Sequence, residues 1–214
     1  MSEQGQRCPS ICPPHRKKQP LTLITDTISR AAITDAPLLA TLAERWSPRA
    51  YDASAVIADE TLTTILEAAR WAPSASNSQP ARYIVARRGS ESFTKIHDAL
   101  LGFNQTWADS SSVLIANVVD TTENANPWSV YDVGQAVAHL SIQAQHDGIH
   151  THQMGGFDAA ALAQAFGLTE TQTVISVIAL GVLGDIDGLS PELLERESAP
   201  RTRKTLDELL LVND

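Results

Sequence analysis

The chain is poor in cysteine, in positive charge and in long apolar runs, and each shortage removes a class of function. Only two cysteines occur in 214 residues, Cys8 and Cys12, so disulfides and thiol catalysis are excluded from the body of the chain. With His15 they form CPSICPPH, whose loose spacing lacks the fourth ligand of a closed zinc site. That stretch reads as two incidental thiols in a tail. Sixteen Lys and Arg stand against 25 Asp and Glu, a net charge of −9. Nucleic acid as the main partner needs a basic surface, which this balance does not supply. No apolar run approaches the roughly 20 residues of a transmembrane helix. LTLIT (21–25) is too short for the apolar region of a signal peptide, so the expected compartment is the cytoplasm. Also missing are the phosphate-binding P-loop, the GxGxxG dinucleotide fingerprint and the GxSxG nucleophile elbow.

What is present suffices for one domain with a sizeable core, since 43% of the residues are hydrophobic. Residues 1–34 carry Arg7, Arg16, Lys17, Lys18 and Arg30 against Glu3 and Asp26, a net +3, which leaves −12 on the remainder. Lacking sustained periodicity, they read as a flexible N-terminal extension. The globular region is expected over 35–214. A helix over 36–45 would start at Asp35 with Pro37 in its first turn, and Asp59 would cap a helix over 60–71. A strand at 82–87, a helix at 91–101 and a strand at 113–119 follow. ENANPWSVY reads as a loop and 131–147 as a long helix, with Val133, Val137, Leu140 and Ala144 on one stripe and Gly148 ending it. HTHQMGGFD leads to a short helix from Asp158 to Phe166, and TVISVIALGVLGD is a buried strand. Helices and strands alternate without a regular βαβ period, which gives an α+β or mixed three-layer domain.

Three constellations carry possible chemistry. Arg45 and Arg49 in ERWSPRAYD, with Arg201 and Arg203 in APRTRKTL, could converge on one phosphate through paired, charge-assisted hydrogen bonds, or could each sit on a solvated, ion-paired face. Gly155 and Gly156 in MGGFDAA let a flat ligand approach the backbone, or simply form the turn before a helix capped by Asp158. The loop APSASNSQPA offers Ser74, Ser76 and Asn77 between Pro73 and Pro80, more donors and acceptors than a connector needs. His139, His146, His150 and His152 straddle a helix end without a carboxylate at ligand spacing, so no metal site is assigned. Nothing resembles a nucleophile–base pair, and no catalytic side chain is expected.

Taken in order, RWSPRAYD, APSASNSQPARYIV, FNQTWADSSSVLIANVV, YDVGQAVAHLSIQAQHDGIHTHQMGGFD and RTRKTLDELL resemble the FMN-dependent nitroreductase family over residues 36 to 210. The resemblance implies an α+β, three-layer nitroreductase-type fold, with a mixed, largely antiparallel sheet flanked by helices, in an intertwined homodimer with two sites. The long helix would lie at the dimer core and a C-terminal arm would embrace the partner.

It further implies that Arg45, Trp46, Ser47 and Arg49 hold FMN, that Arg201 and Arg203 complete the phosphate cradle, and that Asn104 bonds the pyrimidine side of the ring. Met154, Gly155 and Gly156 would place backbone N–H groups toward N5 and O4. Pro73, Ser74, Ser76 and Asn77 would cover the flavin from the other subunit. NADH or NADPH would reduce the cofactor and an electron-poor acceptor such as a nitroaromatic or quinone would reoxidise it, in ping-pong order. The same fold also admits a flavin-dependent dehydrogenase, ene-reductase or dehalogenase, or a flavin-binding protein without NAD(P)H turnover. Three positions depart from the family pattern: Ala81, where an aromatic residue is common; Trp46, where a basic or polar one is; and Trp107, where some relatives carry lysine.

Overall fold

Continuous burial along one central strand organises the molecule. The computed structural model describes residues 30–213, so the cysteine-containing stretch and most of the N-terminal extension lie outside the described residues. Strand β2 (Val113–Asp120) is buried on both faces. Val113, Ile115 and Val119 enter one apolar cluster, and Leu114, Ala116 and Val118 the other. Around it the sheet runs in the order β1-β2-β4-β3, with β1 (Ala81–Arg87), β3 (His150–Met154) and β4 (Gln172–Gly181). Every recorded pairing is antiparallel. The expected mixed sheet is thus antiparallel throughout among the described residues. A register shift opposite Asn117/Val118 places Ile175 as an extra residue on β4.

Helices α2 (Asp59–Arg70) and α4 (Ser129–His146) cover one face through Leu62, Ile65, Val133, Val137 and Leu140. Helices α3 (Glu91–Asp98), α5 (Ala159–Phe166) and α6 (Pro191–Ser198) cover the other through Phe93, Ile96, Leu162 and Leu193. These are the three layers expected of an α+β fold. At the ends lie the short helices α1 (Ala40–Glu44) and α7 (Leu206–Leu209).

Several boundaries differ from expectation, each for a local reason. The first helix starts at Ala40 with Leu39 as N-cap, not at Asp35; a residue preceding proline is pushed out of the α region, and Pro37 imposes that on Ala36. Asp59 is the first helical residue rather than the cap, which is Ala58. Its carboxylate still favours the helix N-terminus, and it pairs with Arg87. Helix α3 stops at Asp98 because Leu100 bridges to Phe157. Helix α4 takes in Ser129 and Val130, which had read as loop, and ends as expected before Gly148, whose φ is +77°. Residues 150–154, to which the sequence assigns no element, form the edge strand β3.

Candidate functional site

The expected site residues fall into two groups at opposite ends of the sheet. The first gathers at the β3 edge. Segment 45–51 lies against the end of β4, tied by Asp52 N–H to Val182 O (3.0 Å) and Gly184 N–H to Ala50 O (3.1 Å). Glycine is required at both contact points. A Cβ on Gly181 would meet the Tyr51 ring at 2.5 Å, and one on Gly184 would meet the Tyr51 carbonyl carbon at 2.4 Å. His152 on β3 holds the same segment from the side, its Nδ1 2.8 Å from Pro48 O and its ring 4.5 Å from that of Trp107. Burial lowers the His152 pKa to about 4, with Arg49 and Arg45 adding to the effect. The imidazole is therefore neutral near pH 7.

Four arginines meet here in unequal states. Arg201 donates to Ala43 O (3.0 Å) and Arg45 O (2.9 Å) and also reaches Arg30 O. Its guanidinium therefore clamps the backbone that carries Arg45. Arg45 has its pKa lowered by burial first, then by the charges of Arg201 and Arg203. Burial, Arg203 and Arg30 lower that of Arg201. Among the described residues no carboxylate pairs with Arg45, Arg201 or Arg203. Arg49 differs: its backbone N–H donates to Glu197 Oε1 at 2.9 Å, and its Nη1 to Oε2 at 3.3 Å. Three clustered guanidinium groups without a carboxylate partner are chemically suited to an anion.

Asn104 and the glycine pair also come together. Asn104 Nδ2 donates to Gly156 O at 3.1 Å, and Leu101 N–H donates to the same oxygen at 3.0 Å. A Cβ on Gly156 would meet Asn104 Nδ2 at 3.0 Å, whereas one on Gly155 would meet nothing within 4 Å. Neither glycine N–H donates to a protein acceptor among the described residues. Met154 is buried in the core, so only its backbone can face a ligand. Trp46 lies beneath Arg30, whose guanidinium carbon is 4.9 Å from the ring centroid. Ser47 is partly buried beside these groups.

The second group is the loop of Pro73, Ser74, Ser76 and Asn77, which leads into β1 at the other edge. Ser76, Asn77 and Gln79 adopt φ of 53°, 56° and 47°. Side chains with a Cβ resist that region, at on the order of 1 kcal/mol each, so the surroundings must hold the shape. They do so through Ala75 N–H to Asp132 Oδ2 (3.0 Å) and Gln79 N–H to Ser74 Oγ (3.0 Å). A cavity of about 190 Å³ lies beneath the loop, lined in part by Pro73, Ala81, Tyr83 and Asp132. The small side chain of Ala81 leaves that space open. Three strand spacings of ~4.8 Å separate β1 from β3, so this loop and Gly155 are roughly 14 Å or more apart. They also lie toward opposite faces, the loop against α4 and the glycine pair against Leu101 and Asn104. One chain does not bring the two groups together.

Sequence reasoning missed Glu197, His152 and the packing of Tyr51 on Gly181 and Gly184. Glu197 had a usable signal: it lies four residues after Leu193, on the apolar face of α6. The histidines were weighed as metal ligands or as exposed helix residues. His139 and His146 are exposed on α4, His150 and His152 belong to β3, and no metal-binding cluster occurs among the described residues.

Comparison with known proteins identifies relatives of the whole domain. A family model described as the nitroreductase family matches residues 42–117 and 94–182. An uncharacterized 15.4 kDa protein from Mycolicibacterium smegmatis is 35% identical over 138 residues, covering 60% of this chain and 92% of that protein. A Bacillus subtilis (strain 168) protein with the provisional name NAD(P)H nitroreductase YdgI is 29% identical over 184 residues, covering 66% and 86%. Among solved structures, an oxidoreductase containing FMN superimposes with a TM-score of 0.79 at 33% identity, covering 86% of this chain and 96% of that one.

Proposed function

Because the chain belongs to the nitroreductase family, we propose that it is an FMN-dependent oxidoreductase that takes electrons from NADH or NADPH and delivers them to an electron-poor small molecule. The observation that carries the reading is the anion cradle: Arg45, Arg201 and Arg203 crowd together with no carboxylate between them. A dianionic phosphate relieves that repulsion. Support also comes from the solved oxidoreductase containing FMN, at 33% identity, and from the provisional name of the Bacillus subtilis relative.

FMN, when bound, would supply the hydride chemistry that links a reduced nicotinamide to a nitroaromatic or quinone. The protein holds and orients it. Arg45 and Arg203 bind the phosphate, while Arg201 fixes the backbone of Arg45 and adds its field. The N–H groups of Gly155 and Gly156 would donate to the edge of the ring, and Asn104 locks the carbonyl of Gly156, which would keep these amides in direction. No side chain here acts as a general base.

Ser74, Ser76 and Asn77 complete the site only from a second copy, since a single chain keeps them at the opposite edge. The protein therefore works as a homodimer with two sites. Exposed apolar side chains fit a shared surface: Trp128 and Tyr131 at the start of α4, and Leu206, Leu209, Leu211 and Val212 in a C-terminal arm. Residues 35–214 form the FMN-binding unit. The end of the preceding extension touches it, because Arg30 donates to Ala199 O at 2.9 Å.

Titration of the purified protein with FMN tests the proposal. Binding of one FMN per chain, lost in the variant Arg45→Ala/Arg203→Ala, is the expected result. A protein that stays colourless under excess FMN would end the reading.

A further inference from the structure

Glu197 is an unusual residue for its place. It lies in the last turn of α6, where the helix dipole disfavours a negative charge, and its side chain is only 2% exposed. A carboxylate buried there requires compensation. Among the described residues Arg49 donates every hydrogen bond that Glu197 accepts, through the backbone N–H at 2.9 Å and Nη1 at 3.3 Å. The Arg49 side chain keeps 23% exposure, so part of it stays accessible while its Nη1 holds the buried carboxylate.

The charges at this edge are thereby divided. Arg45, Arg201 and Arg203 remain unneutralised among the described residues, which suits a phosphate dianion. Arg49, close enough to both His152 and Tyr51 to act on them electrostatically, is the one member of the set with a carboxylate of its own. A full positive charge beside the ring would favour the reduced, more anionic cofactor over the oxidised one. An arginine–carboxylate pair does so far less.

We infer that Glu197 is a positioning residue which orients Arg49 toward the bound cofactor, cancels most of its charge, and thereby holds down the midpoint potential of the FMN. This rests on the proposed FMN site. The role is electrostatic as well as structural, and the two can be separated by measurement.

The experiment is a spectroelectrochemical titration of the FMN-loaded dimer in four forms: wild type, Glu197→Gln, Arg49→Gln and the double variant. In Glu197→Gln the freed arginine charge should tighten reduced over oxidised FMN about tenfold, which for a two-electron couple raises the potential by roughly 30 mV. Arg49→Gln leaves the carboxylate alone and should shift it the other way. With both charges gone, the double variant should return to near the wild-type value. Either single variant decides the matter if the other fails to fold. Potentials that stay together in all forms, with only melting temperatures changed, would overturn the inference and leave Glu197 a purely structural residue. Failure of the wild type to bind FMN would instead overturn the site on which it rests.

Discussion

The Nδ1 atom of His152 lies 2.8 Å from the carbonyl oxygen of Pro48, and this bond joins an edge strand to the segment that carries four of the expected cofactor ligands. A carbonyl only accepts, so Nδ1 carries the proton and Nε2 is left without one. The ring is buried and its pKa falls to about 4. In the unfolded chain it would titrate near 6.5. Between those values the unfolded state binds the extra proton, so stability is fully present above about pH 6.5 and declines as pH falls toward 4. The loss attributable to this residue should approach roughly 3 kcal/mol. Denaturant midpoints measured from pH 7 to pH 4 should show that slope, and His152→Gln should flatten it.

Gly184 should tolerate no side chain. Its added Cβ would meet backbone atoms of Tyr51 and Asp52, at 2.4 Å from the Tyr51 carbonyl carbon, and backbone cannot turn aside as a side chain can. Gly184→Ala is expected to cost about 3 kcal/mol, the upper range for overpacking. It should also weaken FMN binding by displacing Arg45 and Arg49. Thermal melts with and without FMN check both effects.

Removing Arg203 should weaken FMN binding by about 1–3 kcal/mol, the scale of a charge-assisted hydrogen bond. Arg201→Ala should behave differently, because its donors are committed to backbone carbonyls. It should lower the stability of the unliganded protein as well as the affinity. Paired calorimetric titrations and melts separate the two arginines.

The division of the site between two edges of the sheet makes a prediction about mixed dimers. One chain carrying Arg45→Ala/Arg203→Ala and another carrying Ser74→Ala/Ser76→Ala/Asn77→Ala should each bind FMN poorly alone. Co-assembled, they should regain one intact site per dimer. Binding that never exceeds the parents in the isolated mixed dimer would rule out a shared site.

How much of this was legible in the sequence depends on the range of the interaction. The layers were readable because burial leaves a period: Val133, Val137, Leu140 and Ala144 mark one helix face, and TVISVIALGVLGD reads as a buried strand. Asp158 was readable as a cap because an N-cap bond spans three residues, and it does accept from Ala161 N–H at 2.9 Å. Strand β3 was not readable, since HTHQM is polar and short and sits beside a glycine pair. The partners of the arginines were not readable either. Arg49 meets Glu197 across 148 positions, and Arg201 meets Arg45 O across 156. Spacing carries no trace of such pairs. Whether an arginine clamps a carbonyl, pairs with an acid or waits for a ligand is decided by the tertiary fold alone.

The most direct test is anaerobic mixing of the FMN-loaded dimer with NADH and, separately, NADPH, followed at the flavin band near ~450 nm. Loss of that band within the mixing time of a stopped-flow instrument with at least one nicotinamide, and its return when a quinone or nitroaromatic is added, is what the account predicts. A band that persists with both donors, in protein holding a full complement of FMN, would contradict it and leave a flavin-binding protein in place of a reductase.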